Sequence, residues 1–301
     1  MAKIYNRKIK NSKGDHAFLA INDLLLLIAL LIVLYPLIYI ISSSFSSPSA
    51  VSTGRVILWP VDFSVEGYTA VFRYPMIISG FGNTFFYTFF GTLINIIMTV
   101  LAAYPLSRPK MAGRKIFMFL FTFTMIFNGG LIPNYILLQN FGMVNTRWAL
   151  LIPGAIGIYN LIICRTFFQN NIPEELHEAA AIDGCNHPRF IVNVIIPLAK
   201  PILAVLILYY AVSHWNAYFN AFIYLSDKNK FPLQIILREI LVMNTVDPSA
   251  VFDPELEATK QGMADLLKYS LIIVSTAPFM IAYPFVSKHF VKGALTGAVK
   301  G

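Results

Sequence analysis

Few residues in this 301-residue chain carry side chains suited to chemistry, and their spacing excludes most reactions. The five histidines, His16, His177, His187, His214 and His289, pair with no cysteine or carboxylate cluster of metal-ligand spacing. His177-Glu178 opens like the zinc motif H-E-x-x-H, but Ala181 stands where the second histidine would have to be. The two cysteines, Cys164 and Cys185, form neither a metal motif nor a disulfide framework. There is no G-x-x-x-x-G-K-[ST] loop, so no nucleotide phosphate is cradled in that way. What remains is Pro173-Glu-Glu-Leu-His-Glu-Ala-Ala-Ala-Ile-Asp-Gly184, a charged interruption between long apolar segments. It reads as a contact surface, not a catalytic centre.

The elements that must position this stretch are membrane spans. Hydrophobic residues make up 57% of the chain and charged residues 13%, about half the charge of a soluble domain. About 20 apolar helical residues cross a hydrocarbon core, and six runs qualify, at about 21–41, 81–104, 116–138, 148–168, 202–225 and 266–286. The third is interrupted by Asn128-Gly129-Gly130 and Pro133. Residues 1–20 form a basic tail, 169–200 a polar loop, and 287–301 a basic C-terminal tail; 42–74 and 226–265 read as polar loops. The expected fold is all-α and integral to the membrane, one domain over 21–286.

Basic residues resist translocation, so their distribution sets orientation. With the N-terminus inside, the inner segments hold 15 lysines and arginines and the outer ones 8. Both termini and the 169–200 loop are therefore expected in the cytoplasm. The net charge of +8 becomes a topology signal and needs no nucleic acid. The spans carry no Asp, Glu, Lys or Arg at mid-depth, whereas ion-driven carriers bury such groups. Energy must come from another molecule.

Within the polar loop, Pro173 suits a helix start, and Glu174, Glu175 and Glu178 suit the positive end of its dipole. Leu176, Ala179 and Ala180 fall on one narrow apolar face. Gly184 ends the helix in a left-handed turn. A second short helix starts near Asn186-His187-Pro188, with Phe190, Ile191, Val194 and Ile195 on its apolar face, and stops at Pro197 and Pro201. The pattern fits a helix-turn-helix projecting from the surface. It fits equally an amphipathic element lying flat at the bilayer interface.

Glu178-Ala179-Ala180, Asp183-Gly184 and Val194-Ile195-Ile196-Pro197 match E-A-A-x-x-x-G-x(9)-I-x-L-P. This resembles the signature of ABC importer permeases, with Val194 and Ile196 as conservative departures. The tail Gly293-Ala-Leu-Thr-Gly-Ala-Val-Lys-Gly301 is similar to the end of maltose-type carbohydrate permeases. Gly129–Asn134, Asn145–Ala149, His214–Asn216 and Pro232–Glu239 resemble the subgroup serving complex, polysaccharide-derived oligosaccharides. The resemblance covers nearly the whole chain.

It implies a type I importer permease fold in a bacterial cytoplasmic membrane. The implied partners are a second, related permease chain in a heterodimer, two cytoplasmic ABC ATPases and an extracytoplasmic solute-binding protein. This chain would bind no cofactor, ATP and Mg being held by the ATPases. Glu174, Glu178, Ala179, Ala180, Asp183, Gly184 and Pro197 would form the coupling surface. Glu178 would meet a basic group in the ATPase cleft, and Ala179 and Ala180 would pack closely there.

Sugar sites combine apolar or aromatic walls with a few convergent polar groups. Asn128, Tyr159, Asn160, Tyr210, His214, Trp215, Asn216, Tyr218 and Asn220 are the substrate-path candidates, with Tyr87 and Asn95 on span two. Polar residues within spans also serve simply to join helices. A permease for a non-sugar ABC importer is the alternative, and a secondary carrier the third; the span-five aromatics and the absence of buried charge disfavour them respectively.

Overall fold

The computed structural model describes residues 12–243 and 262–281, and every regular element among them is helical. In chain order these are α1 (Lys13–Ser44), α2 (Pro48–Ser52), α3 (Glu66–Arg73), α4 (Pro75–Ser107), α5 (Arg114–Ile126), α6 (Leu131–Asn140), α7 (Trp148–Leu151) and α8 (Ile158–Asn171). Then follow α9 (Glu174–Ile182), α10 (His187–Phe190), a π-helical turn (Ile191–Ile195), α11 (Ile196–Leu198), α12 (Lys200–Asn216), α13 (Phe219–Tyr224), a 3-10 turn (Lys228–Lys230) and α14 (Leu233–Met243). Helix α15 covers Gly262–Ile281. The resemblance at 293–301 and most of the two tails fall outside the described residues.

The chain divides into two compact units, Met1–Val71 with Val246–Ile273 and Phe72–Thr245 with Val274–Gly301. In the first, Ser12 and Asp15 close a capping box at the start of α1. The leucines and isoleucines of α1 stay exposed along most of its length, as a lipid-facing helix requires. Its last turn is different. Ser42, Ser43 and Ser44 are buried, and the Ser42 and Ser46 hydroxyls donate to Leu58 O and Ser42 O at 2.6 and 2.7 Å. Serine hydroxyls thus tie the 45–65 loop back onto the helix end.

The second unit is built around α4. Asn83, Thr84, Tyr87, Gly91, Asn95, Thr99, Ala103 and Tyr104 recur every three or four residues on its buried side. Around its lower half, Val100, Ala103, Leu161, Cys164, Phe168, Phe190, Ile195 and Leu206 form the main apolar core. At Gly91 the ring of His214 lies where a Cβ would stand, so only glycine lets α12 approach α4 this closely.

Helices α1, α4 and α15 are each long and apolar enough to cross a bilayer, and two bent pairs raise the number to five. One pair is α5–α6, bent by 116°; the other joins His187–Leu198 to α12 at 88°. Pro197 cannot donate to the carbonyl four residues back, and the wide π turn precedes it.

Three sequence expectations change. The run 148–168 is not one helix: Pro153 and Gly154 separate α7 from α8, because Pro153 lacks the N–H that would continue the helical hydrogen bonds. The run 202–225 breaks after Asn216, where Ala217 is extended with no glycine or proline to mark it. The 226–265 loop contains α14, whose Leu233, Ile235 and Ile236 are buried.

Candidate functional site

The polar loop folds as its residues suggested. Pro173 precedes α9 in extended backbone, and Glu174 and Glu175 occupy the first turn. Gly184 takes φ +72°, and the turn is closed by Gly184 N donating to Ala181 O and Cys185 N to Ala180 O at 3.1 and 2.8 Å. The Asn186 side chain then caps α10 by accepting from Arg189 N at 3.0 Å. Phe190 and Ile195 anchor this second arm in the main core, which weighs against an element merely lying on a bilayer.

Two ion pairs fix α9 to the end of α4. Arg108 donates to Glu174 at 2.5 Å, with side chains 13% and 27% exposed. Lys110 donates to Glu178 at 2.9 Å, and both groups there are well exposed. Lys110 holds the Glu178 carboxyl below its ordinary value, by hydrogen bond and by charge, and is itself raised in return. Behind them the rings of His177 and His187 stack at 5.4 Å, and Tyr104 hydroxyl lies 2.9 Å from His187 Nδ1. Burial first, and then the Arg108 charge, push the His177 imidazole down. These side chains line an open cleft of about 760 Å³.

Glu178 therefore already has a cation in its own chain, where an outside one was expected. Arg108 and Lys110 had looked like orientation signals only. Leu176 and Ala179 are exposed on the side away from the acids and Ala180 packs inward, whereas Ala181 lines the cleft and Ile182, one turn after Glu178, is 87% exposed beside the acids. The acids hold the helix from behind, and Leu176 and Ala179 face out. Asp183 and Pro197 are exposed, the first at the end of α9 and the second within α11.

A separate cavity of about 270 Å³ lies among α4, the α7–α8 break, α12 and α13. Tyr87, Asn95, Asn160, Tyr210, His214 and Asn220 line it, together with Ser213, which the sequence had not singled out. Hydrogen bonds sort these residues into two sets. Asn95 Nδ2 donates to Gly154 O at 2.6 Å, so its Oδ1 accepts from His214 Nε2 at 2.6 Å. Gly157 N donates to the Tyr210 hydroxyl at 3.1 Å, and that hydroxyl shares a hydrogen bond of 2.7 Å with the Thr99 hydroxyl. Tyr87 hydroxyl donates to Lys230 O at 2.9 Å. These four hold the α7–α8 break and the loop at Lys230 onto α4. Asn160, Ser213 and Asn220 have no hydrogen-bond partner among the described residues, so their polar groups are open to a solute.

The remaining path candidates lie elsewhere. Trp215 is 3% exposed, packed edge-on against Phe85 and Phe279 at 5.2 Å, with Nε1 donating to Ser275 O at 3.0 Å. It is a structural anchor. Tyr159 and Tyr218 are exposed away from the cavity, and Asn216 donates to Val212 O. Asn128 sits at the exposed α5–α6 break. A strap between loops, also unforeseen, is centred on Asn145 at φ +59°. Its Oδ1 accepts from Ser226 N and Asp227 N at 3.1 and 3.0 Å. Nearby, Arg147 reaches Asn83 at 3.0 Å, and Asn83 donates to Asn229 O and Phe231 O.

The family model described as "Binding-protein-dependent transport system inner membrane component" matches residues 93–294. The chain is 39% identical to the polygalacturonan/rhamnogalacturonan transport system permease protein YtcP of Bacillus subtilis over 277 residues, covering 92% of this chain and 96% of that one. It is 36% identical to Protein LplC of the same organism over the full length of both. A chain of a solved bacterial ABC transporter, involved in the import of the acidic polysaccharide alginate, superposes with a TM-score of 0.86 at 38% identity. It covers 94% of this chain and 100% of that one.

Proposed function

The chain belongs to the family of binding-protein-dependent transport system inner membrane components, and from that premise we propose that it is the permease subunit of an ATP-driven importer of oligosaccharides. Its substrates are fragments of acidic polysaccharides, the class named for the similar permease of Bacillus subtilis and for the similar alginate importer. It crosses the cytoplasmic membrane six times, with both termini inside. A second, paralogous permease completes the path, two ABC ATPases drive it, and a solute-binding protein delivers the sugar. Hydrolysis takes place in the ATPases, which hold ATP and Mg.

The observation that carries this reading is the two-sided construction of α9. Arg108 and Lys110 hold Glu174 and Glu178 from behind, and Leu176 and Ala179 stand exposed in front. Small apolar residues on a braced helix suit insertion into a cleft of another protein, and the brace leads directly into α4. That helix carries Asn95 and Tyr87 to the cavity, so movement of α9 has a continuous route to the solute. At about 270 Å³ the cavity falls below the 300–1,000 Å³ usual for a complete ligand site, consistent with a path shared between two chains.

The test is reconstitution of the whole complex in proteoliposomes with its binding protein and internal ATP. Uptake of oligogalacturonate or oligoalginate should persist when ionophores collapse the ion gradients. Uptake that stops with the gradients supports a carrier; ATP-dependent uptake of a non-sugar alone overturns the substrate class.

A further inference from the structure

The turn from α4 into α5 gathers more positive charge than its acids balance. Arg108 and Lys110 are answered by Glu174 and Glu178. Arg114, Lys115 and, on the neighbouring α8, Arg165 have no carboxylate partner among the described residues. Arg165 Nε donates to Leu106 O at 2.9 Å, and Arg114 reaches Arg108 O only at 3.4 Å, so both rest on neutral carbonyls. The two guanidinium groups stand close enough for their charges to repel. Like charges gathered without an acid among them favour an anion drawn from outside the chain.

Beside them lies an open hollow of about 550 Å³, lined by Pro109, Met111, Gly113, Arg114, Lys115 and Ile116. Gly113, at φ +73°, turns the chain so that α5 opens with both cations. Beyond them the helix becomes apolar: Ile116, Phe117, Phe119, Leu120 and Phe123 are all exposed, and no residue of α5 is buried. Cations at the mouth and bare hydrocarbon directly past it suit a molecule that is anionic at one end and apolar at the other. Inorganic phosphate would meet the cations and leave the apolar wall unused. An acidic protein loop would have no use for that wall either. On the proposed orientation the turn lies at the cytoplasmic headgroup level, where anionic lipids attract lysine and arginine. Topology asks only that cations lie on this side of the membrane; it does not ask that they surround a hollow without an acid.

We propose that the α4–α5 turn binds an anionic phospholipid of the inner leaflet, with Arg114 and Lys115 holding its phosphate and the exposed side chains of Ile116 and Leu120 taking an acyl chain. Arg165 adds to the field from α8 and stays tied to Leu106 O. The site is independent of which solute the protein carries.

Photo-crosslinking in the whole complex tests it, in vesicles of phosphatidylcholine containing a minor share of phosphatidylglycerol. The photoreactive p-benzoylphenylalanine replaces Phe117, whose ring lies beside Gly113, or, as reference, Phe119, almost opposite on the helix. After illumination the lipids joined to this chain are identified by mass. At position 117 phosphatidylglycerol should exceed its bilayer share by up to roughly thirty-fold, about fivefold for each cation; at position 119 it should match that share. Arg114→Gln with Lys115→Gln should return position 117 to the bilayer share. Arg189→Gln with Lys200→Gln removes two exposed cations that do not line the hollow and should leave the enrichment intact. The comparison of 117 with 119 needs no charge variant, so misassembly of a variant leaves the test standing. Phosphatidylglycerol at its bilayer share at position 117 overturns the proposal. So do crosslinks from 117 to an ATPase or a second permease in place of lipid, which would assign the cations to a protein contact. Inorganic phosphate at cytoplasmic concentration should not reduce the enrichment; if it abolishes it, the occupant is the free ion and the lipid assignment fails.

Discussion

Arg108, at the end of α4, holds Glu174, in the first turn of α9, in an ion pair of 2.5 Å that water reaches poorly. The pair joins the helix carrying the cavity residues to the helix presenting the exposed apolar face. Exposed pairs contribute about 0–1 kcal/mol, but contacting residues in one network couple by about 0.5–3 kcal/mol. Arg108→Glu and Glu174→Arg should each lower substrate-stimulated ATP hydrolysis in the assembled complex. The double reversal should recover most of it, incompletely because a cation at the α9 N-terminus opposes the helix dipole. Single reversals with wild-type stimulation would remove the pair from the transmission route.

The acid limb of coupling should belong to His177. Burial and the Arg108 charge lower its folded value from an ordinary 6.5, so the fold favours neutral imidazole. Stability from this group is therefore present above 6.5 and lost as pH falls through the folded value. Glu174, Glu178, His187 and Arg108 all face it. Lys110 and Glu178 shift in opposite directions away from neutrality, so their pair stays charged throughout the neutral range. Substrate-stimulated hydrolysis should fall below about pH 6.5, and His177→Asn, which cannot protonate there, should flatten that fall. An unchanged acid limb in His177→Asn counts against this assignment.

Gly184 tests the turn itself. It sits at φ +72° with open space where a Cβ would go, so Gly184→Ala meets backbone cost without collision. That cost is about 1–2 kcal/mol. Gly184→Pro is more severe: its φ is locked near −65° and it removes the N–H that donates to Ala181 O. Alanine should leave most coupling intact, and proline should abolish it while membrane insertion persists. Equal, wild-type stimulation of ATP hydrolysis in both would show that the turn is not used.

How much of this was legible before the structure depends on which residues speak locally. Pro173, the first-turn glutamates, Gly184 and Asn186 act on backbone within four residues, and the helix-turn-helix they predict is the one observed. The basic turn at Arg108 and Lys110 was read for its charge alone, because the sequence places it 66 and 68 residues from its partners. The same distance problem hid the Asn145 strap, which reaches across 81 residues. Span five lost its continuity at Ala217, where no residue type signals a break. Polarity within a span proved ambiguous for a physical reason. Low dielectric makes every polar group seek a partner, so Tyr210, His214 and Asn95 look like solute ligands in sequence while their hydrogen bonds hold helices.

That distinction yields the sharpest test of the cavity. Trp215, on the favoured span five, and Asn160 were both path candidates by composition, yet one is buried in an aromatic cluster and the other opens into the cavity with no partner among the described residues. Trp215→Ala removes a large core side chain, which costs about 3–5 kcal/mol, so it should reduce the amount of assembled complex. Asn160→Ala removes only an unpaired amide and should leave assembly unchanged while raising the KM for uptake. One hydrogen bond to solute contributes about 0.5–1.5 kcal/mol, which corresponds to a rise of roughly two- to twelve-fold. Asn220→Ala should behave like Asn160→Ala. If Asn160→Ala and Asn220→Ala take up sugar with wild-type KM, the cavity is packing space and not part of the path; if Trp215→Ala assembles normally and alone raises KM, the roles assigned to the two sets are reversed.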